Sequence, residues 1–456
     1  MNNLTAGSEA KGILRFVIPM LLGSVFQQLF NVVDTWIIGN YIGKEALGAV
    51  GASFPIIFVL ISLVVGISTG GTVIISQYFG AQNYKKVKLA IDTIMFFLFF
   101  AAIIISLAGL YFSEQIFILI QLPPDLMQDA VTYLNIYLSG LILVFGYNAV
   151  SAILRGLGDS ITPLYFLIIA TILNIILDLL FVLVFGWGVA GVAIATVIAQ
   201  GLAFVISVLY LNRTHELVKF SFKRIRFDKT IFVNSLKIGI PSGLQHTFVS
   251  LGMVALMAIV NTFGAETIAA YTIAGRLDSF ALLPAMNFSM ALTVFVGQNL
   301  GADKLERVRK GYQSTLAMTS LISLILTAIA IFFGKFLVAQ FNNDPEVVAI
   351  GYEYLLIVSP FYIVFSFMFI NNGLLRGAGA TLIPMFITLF SLWVFRIPIS
   401  FFFSQYFGTV GIWWGIPIAW CSGGLLSYIY YKSNKWRKHV VVKKERDTPK
   451  DVSIIH

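Results

Sequence analysis

Charge is what this chain has least of. Of its 456 residues only 11% are Asp, Glu, Lys or Arg, against about 25% in a soluble domain. Too few charges remain to cover a water-facing surface, so a soluble globular protein is excluded. Cysteine is nearly absent as well: Cys421 stands alone, which rules out an intramolecular disulfide. The four histidines, His215, His246, His439 and His456, are scattered. No His/Cys/Asp cluster of the kind that marks an enzyme centre or a metal site can be read from them. What the chain has instead is 58% hydrophobic residues and a mean hydropathy of +0.90.

The apolar residues form continuous runs, many reaching the roughly 20 residues that span a bilayer. Continuous rather than alternating runs exclude a β-barrel. The reading is an all-α polytopic membrane protein with twelve transmembrane helices. Their coarse spans are 14–39, 46–79, 90–112, 128–152, 161–186, 188–211, 236–263, 267–300, 312–334, 347–373, 381–404 and 411–431. The first is read as retained, because no short apolar core with a cleavage site precedes it. Pro19, Pro55, Pro241, Pro284, Pro360, Pro398 and Pro417 lie within spans and are expected to bend them.

The net charge of +9 belongs to loops rather than to a nucleic-acid surface. Of 30 basic residues, 26 fall on one side of the membrane. Lys44 and Lys335 lie on the other side, and Arg276 and Arg396 lie within spans. The positive-inside bias puts both termini in the cytoplasm and the protein in the cytoplasmic (inner) membrane. The basic segments KKVK (85–88) and ERVRK (306–310) read as orientation signals that meet lipid headgroups. The polar tail after residue 432 is expected to be mobile and within reach of anionic lipid.

Three pairs of segments share one offset. YIGKEALGAVG (41–51) pairs with TFGAETIAAYT (262–272), SQYFGAQNYKKVK (76–88) with GQNLGADKLERVR (297–309), and LRGLGDSITP (154–163) with LRGAGATLIP (375–384). Gly43 and Gly264, Gly80 and Gly301, Arg155 and Arg376, and Pro163 and Pro384 are all 221 residues apart. The chain is therefore read as two parallel six-helix repeats around a central cavity. The N-lobe is 1–211, a basic cytoplasmic linker runs over 212–235, the C-lobe is 236–432, and the tail is 433–456. Parallel repeats of this kind rock about a site near the membrane midplane.

The acids inside spans carry the functional reading. Asp34 sits roughly 8 Å inside the outer end of the first span, and Asp178 about 10 Å inside that of the fifth. Asn174 is one turn from Asp178 on the same face. Thr196, in the sixth span, reaches a comparable depth. Gln27, Asn31 and Asp34 make one polar stripe at i, i+4 and i+7. A lone carboxylate in hydrocarbon costs at least about 2.5–3.5 kcal/mol, and the N-lobe has no basic residue at that depth. Two acids without a cation cannot both ionise cheaply. They imply a proton-binding pair, or an oxygen cluster for a hard cation such as Na⁺ held by Asp34, Asn174, Asp178 and Thr196. The matching C-lobe positions, near 254–259 and 397–400, hold no acid. In the C-lobe, Arg276, Asp278 and Arg396 are read as a buried ion network or as substrate contacts. Gln245 is a candidate cavity residue, and the neighbouring His246 is read as a hydrogen-bonded core histidine.

The doubled RGxGxxxxP segments, the QxxGA segments that follow the second and eighth spans, and the six-plus-six repeat resemble the multidrug and toxic compound extrusion (MATE) family over about residues 13–432. Within it the chain is similar to the DinF-like branch, whose N-lobe carries acids in the first and fifth spans. Asp34, Asn174, Asp178 and Thr196 fall at its matching positions. The resemblance adds a tyrosine of the fourth span, Tyr133 or Tyr137, to that set. The NorM-like branch uses a Glu of the seventh span, and IPSGLQHTFVSLGMVALM here has no acid. The resemblance implies a secondary antiporter that exports amphipathic, often cationic organic compounds in exchange for inward H⁺ or Na⁺. It implies no further cofactor, membrane lipid and small-molecule substrates as partners, no nucleic acid, and a monomer. A lipid-linked oligosaccharide flippase is the alternative, but it calls for a strongly basic cavity, and only Arg276 and Arg396 are available. An integral-membrane enzyme is weaker still.

Overall fold

The computed structural model describes residues 3–214, 219 and 226–442. The remainder of the linker and of the tail, 215–218, 220–225 and 443–456, lies outside the described residues. Those described are almost entirely helical and include no strand. This is what hydrocarbon demands, since each backbone N–H and C=O must find its partner within its own segment. Eleven helices are long and apolar enough to cross a membrane, and a bent pair supplies a twelfth span. We label them α1 (Glu9–Ile42), α2 (Lys44–Gly80), α3 (Tyr84–Leu119), α4 (Pro124–Ser139), α5 (Leu141–Gly156), α6 (Ile161–Val184) and α7 (Gly188–Thr214). The second half holds α8 (Lys229–Phe263), α9 (Ala265–Gly301), α10 (Leu305–Ala339), α11 (Pro345–Gly377), α12 (Leu382–Phe407) and α13 (Thr409–Lys432). A short 3₁₀ turn, α14 (Lys435–His439), follows.

The fourth span differs from the sequence expectation. It was read as one helix over 128–152, whereas α4 and α5 meet at Gly140 with a bend of 53°. A Cβ at Gly140 would stand 2.3 Å from a Val197 methyl of α7. The break therefore comes with a close helix–helix approach that the local sequence YLSGLILV does not announce. Helix starts elsewhere are marked as expected of interfacial caps. The Asn83 side chain accepts from the Lys86 amide at 3.2 Å, Asp344 from Glu346 at 2.8 Å, and Asp159 from Thr162 at 3.0 Å.

The duplication is visible in contacts as well as in letters. The Thr72 hydroxyl of α2 donates to the Ala152 carbonyl of α5 at 3.0 Å. At the same repeat position, Thr293 of α9 donates to Gly373 of α11, also at 3.0 Å. Each threonine bonds the next helix where small residues let the backbones close in. A Cβ on Gly156 would lie 3.1 Å from the Thr72 carbonyl, and one on Gly377 would lie 2.5 Å from the Thr293 carbonyl.

The chain forms two compact units. The first is Ile18–Ile240 with Met1–Asn3, and the second is Pro241–His456 with Leu4–Val17. Two of the three boundaries fall inside helices, α1 and α8, near or at a proline, Pro19 and Pro241.

Gly377→Ala should lower the melting temperature of the detergent-solubilised protein, with an overpacking cost of roughly 1–3 kcal/mol. Gly275→Ala, where the added Cβ meets nothing within 4 Å, should leave it unchanged.

Candidate functional site

In the first unit three helices bring acids and amides to one buried place. Asp34 lies on α1 and is 9% exposed, while its sequence neighbours Asn31 and Thr35, and Gln27 further back, are exposed. Of the polar stripe, only Asp34 turns into the unit. The Thr35 hydroxyl is spent locally on the Asn31 carbonyl at 2.7 Å. On α6, Asn174 and Asp178 are fully buried, one turn apart. Directly after Asp178 the helix widens into a π-turn, Leu180–Val184, a distortion that recurs at functional sites. Thr196 on α7 is 4% exposed, and Tyr133 and Tyr137 on α4 are buried.

The Asp34 and Asp178 carboxyl groups stand within hydrogen-bonding reach of each other, and Asn174 is within reach of Asp178. Tyr133 lies close enough to feel the charge of both acids and of Tyr137. With both carboxyls written as carboxylates, acceptor faces acceptor. Accordingly Asp34 Oδ1, both Asp178 oxygens, both Asn174 amide atoms and Thr196 Oγ1 have no hydrogen-bond partner. Buried polar atoms are normally paired, and a buried charge without a partner is the costliest case. A shared proton, or a cation coordinated by the oxygens, would relieve the facing acceptors. Among the described residues no group of three or more His, Cys, Asp or Glu is arranged to hold a metal ion.

The second unit handles its acid differently. Asp278 on α9 is buried, and its two oxygens are taken by hydroxyls of α11. Tyr354 donates to Oδ2 at 2.5 Å, and Tyr362 donates to Oδ1. Arg396, in a π-turn of α12, is near enough to interact electrostatically with Asp278, but its Nε is unpartnered. Arg276 is exposed. Tyr354 packs edge-on to Trp413 at 5.1 Å, and Tyr271 stacks on the same ring at 5.7 Å. Gln245 donates to the Thr388 hydroxyl at 2.6 Å, and His246 is half-buried beside it. The two tyrosines on Asp278 were not anticipated from the sequence. The signal was there: Tyr354 is the repeat mate of Tyr133, 221 residues on. Each repeat thus sets a tyrosine of its fourth span beside a carboxylate, but the carboxylates come from different helices.

Among the described residues, eleven apolar helices and one bent pair, laid out as a duplicated plan with an acid pair buried among them, define a polytopic membrane protein. A family model described as MatE matches residues 19–180 and again 241–402. The chain is 35% identical to the probable multidrug resistance protein YpnP of Bacillus subtilis (strain 168), over 95% of this chain and 97% of that one. It is 30% identical to the probable multidrug resistance protein NorM of Thermotoga maritima, over 96% and 95%. Among solved structures, the outward-facing conformation of a multidrug resistance MATE family transporter superposes with a TM-score of 0.88 at 22% identity, covering 98% of each chain. The chain belongs to the MatE family. It is a multi-pass membrane transporter and not an enzyme.

The acid pair makes a pH-dependent prediction. Raising the pH should destabilise the wild type relative to Asp178→Asn, because a second ionisation sets two like charges in contact, and lowering it should remove that difference. Melting curves of both proteins across pH check it. A difference that does not grow with pH would mean that the two acids are not opposed in the folded protein.

Proposed function

We propose that the protein is a secondary antiporter that exports amphipathic, often cationic organic compounds in exchange for inward H⁺ or Na⁺. The observation that carries this reading is the contact between Asp34 and Asp178, buried with partnerless oxygens and no basic side chain among its neighbours. Such a pair has a free-energy reason to take up a cation. Asn174 and Thr196 add an amide and a hydroxyl oxygen suited to Na⁺, a hard ion that prefers oxygen ligands. Tyr133 and Tyr137 close the site from α4. The names carried by the two relatives above, multidrug resistance proteins, support the substrate class.

Coupling follows from linkage. If the ion and the organic substrate favour different conformations of the first unit, each weakens binding of the other by the same factor. Alternating access by two parallel repeats, 1–211 and 236–432 joined through 212–235, turns that exclusion into exchange. Gln27, Asn31, Gln245, Arg276, Asp278 and Arg396 are the candidate substrate contacts. The placement in the cytoplasmic membrane, with both termini inside, rests on the distribution of Lys and Arg. A lipid-linked oligosaccharide flippase is disfavoured by the scarcity of basic residues within spans.

Purified protein in liposomes loaded with a fluorescent organic cation, under a pH gradient or a Na⁺ gradient imposed separately, tests the proposal. Wild type should move the dye under one of the two gradients. Asp34→Asn and Asp178→Asn should each lose at least about tenfold in driven rate, equivalent to about 1.4 kcal/mol, while remaining folded. Full driven efflux from either variant would remove the acids from the coupling role.

A further inference from the structure

The segment ahead of α1 is held in place by a set of contacts that transport by the acid pair leaves unexplained. Leu4 and Thr5 are buried, 4% and 8% exposed. The Leu4 amide donates to Gln298 Oε1 at 3.1 Å, and the Leu4 carbonyl accepts from Asn299 Nδ2 at 3.1 Å. Lys304 Nζ donates to the Thr5 carbonyl at 3.0 Å. One guanidinium ties the rest together. Arg307 Nη1 donates to the Gly7 carbonyl at 2.8 Å and to Glu9 Oε1 at 3.1 Å, and Nε donates to Asn299 Oδ1 at 3.1 Å. Leu4–Val17 thereby counts as part of the second unit, although α1 carries Asp34 in the first.

The other repeat has the counterpart. Residues 226–240, leading into α8, count as part of the first unit. Asp228 pairs with Lys86 at 3.8 Å, and its amide donates to the Thr93 hydroxyl at 3.0 Å. Phe227 and Phe232 pack on Phe96 and Phe97 of α3. Lys86 and Arg307 occupy the same repeat position, 221 residues apart. In each unit a basic residue at the start of the third or ninth span grips an acid on the arm that leads into the first span of the other repeat. A duplicated contact of this kind, built from different residues, is an architectural feature rather than a chance ion pair.

We propose that the N-terminal arm is a clasp that releases and refastens during the transport cycle, with Arg307 as the positioning residue. The inference rests on the antiport reading. The grip on the N-terminal arm is made of polar bonds: those at Leu4 are buried, whereas those of Lys304 and Arg307 to Thr5, Gly7 and Glu9 are open or partly open to solvent, and the side chains of Arg307 and Glu9 keep 20% and 21% of their surface in contact with solvent. Water can replace such bonds one by one, which a sealed apolar contact would not allow. Because α1 runs from Glu9 through Pro19 to Asp34 and beyond, the clasp and the acid pair lie towards opposite ends of one helix.

Two measurements test this. The first is hydrogen exchange in residues 4–17. Exchange should be at least about tenfold faster in Arg307→Ala than in wild type, and unchanged in Arg309→Ala, an exposed neighbour. It should also differ between Asp34→Asn and wild type. The second uses Thr5→Cys with Lys304→Cys in a Cys421→Ser background, joined by a short reducible bis-methanethiosulfonate. Linked protein should lose efflux at least about tenfold and recover it on reduction, with dye affinity unchanged. Linked protein that transports at full rate would show a static tether and overturn the proposal, as would a pair that fails to link. Should wild-type protein move no dye under either gradient, the antiport reading falls by itself. The clasp is then judged by exchange alone, and equal protection of residues 4–17 in Asp34→Asn and wild type would overturn it.

Discussion

Two carboxyl groups in contact, buried in a membrane protein with no basic side chain among their neighbours, set the terms for the first unit. Hydrocarbon tolerates a charge only where a partner or water receives it. Asp34 and Asp178 have each other, Asn174, and unpartnered oxygens. The helices around them are arranged accordingly. The fully buried Asn174 and Asp178 lie on one face of α6, a π-turn follows directly, and α4 bends away from α5 at Gly140 just past the two tyrosines. The second unit answers the same constraint with tyrosine hydroxyls. Asp278 is buried but saturated, a brace between α9 and α11. One acid site keeps unpartnered oxygens, and the other is closed by protein donors.

The spans were legible because length and apolarity alone decide them, and the bilayer overrides local propensity. The repeat was legible because the glycines and prolines at helix ends keep one offset, and their backbone roles recur in both units. The break at Gly140 was not legible. It accompanies a close approach to Val197, 57 residues away in sequence, and nothing in YLSGLILV distinguishes it from an unbroken helix. The partners of Asp278 were missed for a related reason. Charge in a span invites a search for opposite charge, and Arg396 was the obvious candidate. The structure satisfies the carboxylate with phenols from a neighbouring helix, and only the repeat alignment of Tyr354 with Tyr133 pointed there.

Asp34, Asn174 and Asp178 could be singled out from composition and helical spacing, because polar atoms are so rare in these runs that each is conspicuous. That they meet is a three-dimensional fact. Gln27 and Asn31 show the limit of spacing arguments. They share a stripe with Asp34 on a helical net, yet they stay exposed while Asp34 is buried.

The N-terminal arm has a consequence for how the protein is made. Leu4 leaves the ribosome well before its partner Gln298, which follows 294 residues later. At about 5–20 residues per second, synthesis of that interval takes about 15–60 s. Throughout it the arm has no seat, and the first six spans must be inserted with their opening helix fastened at one end only. Nascent chains stalled before residue 298 should therefore hold a first helix whose leading end is unfastened, and that exposure should end when the ninth span begins to emerge.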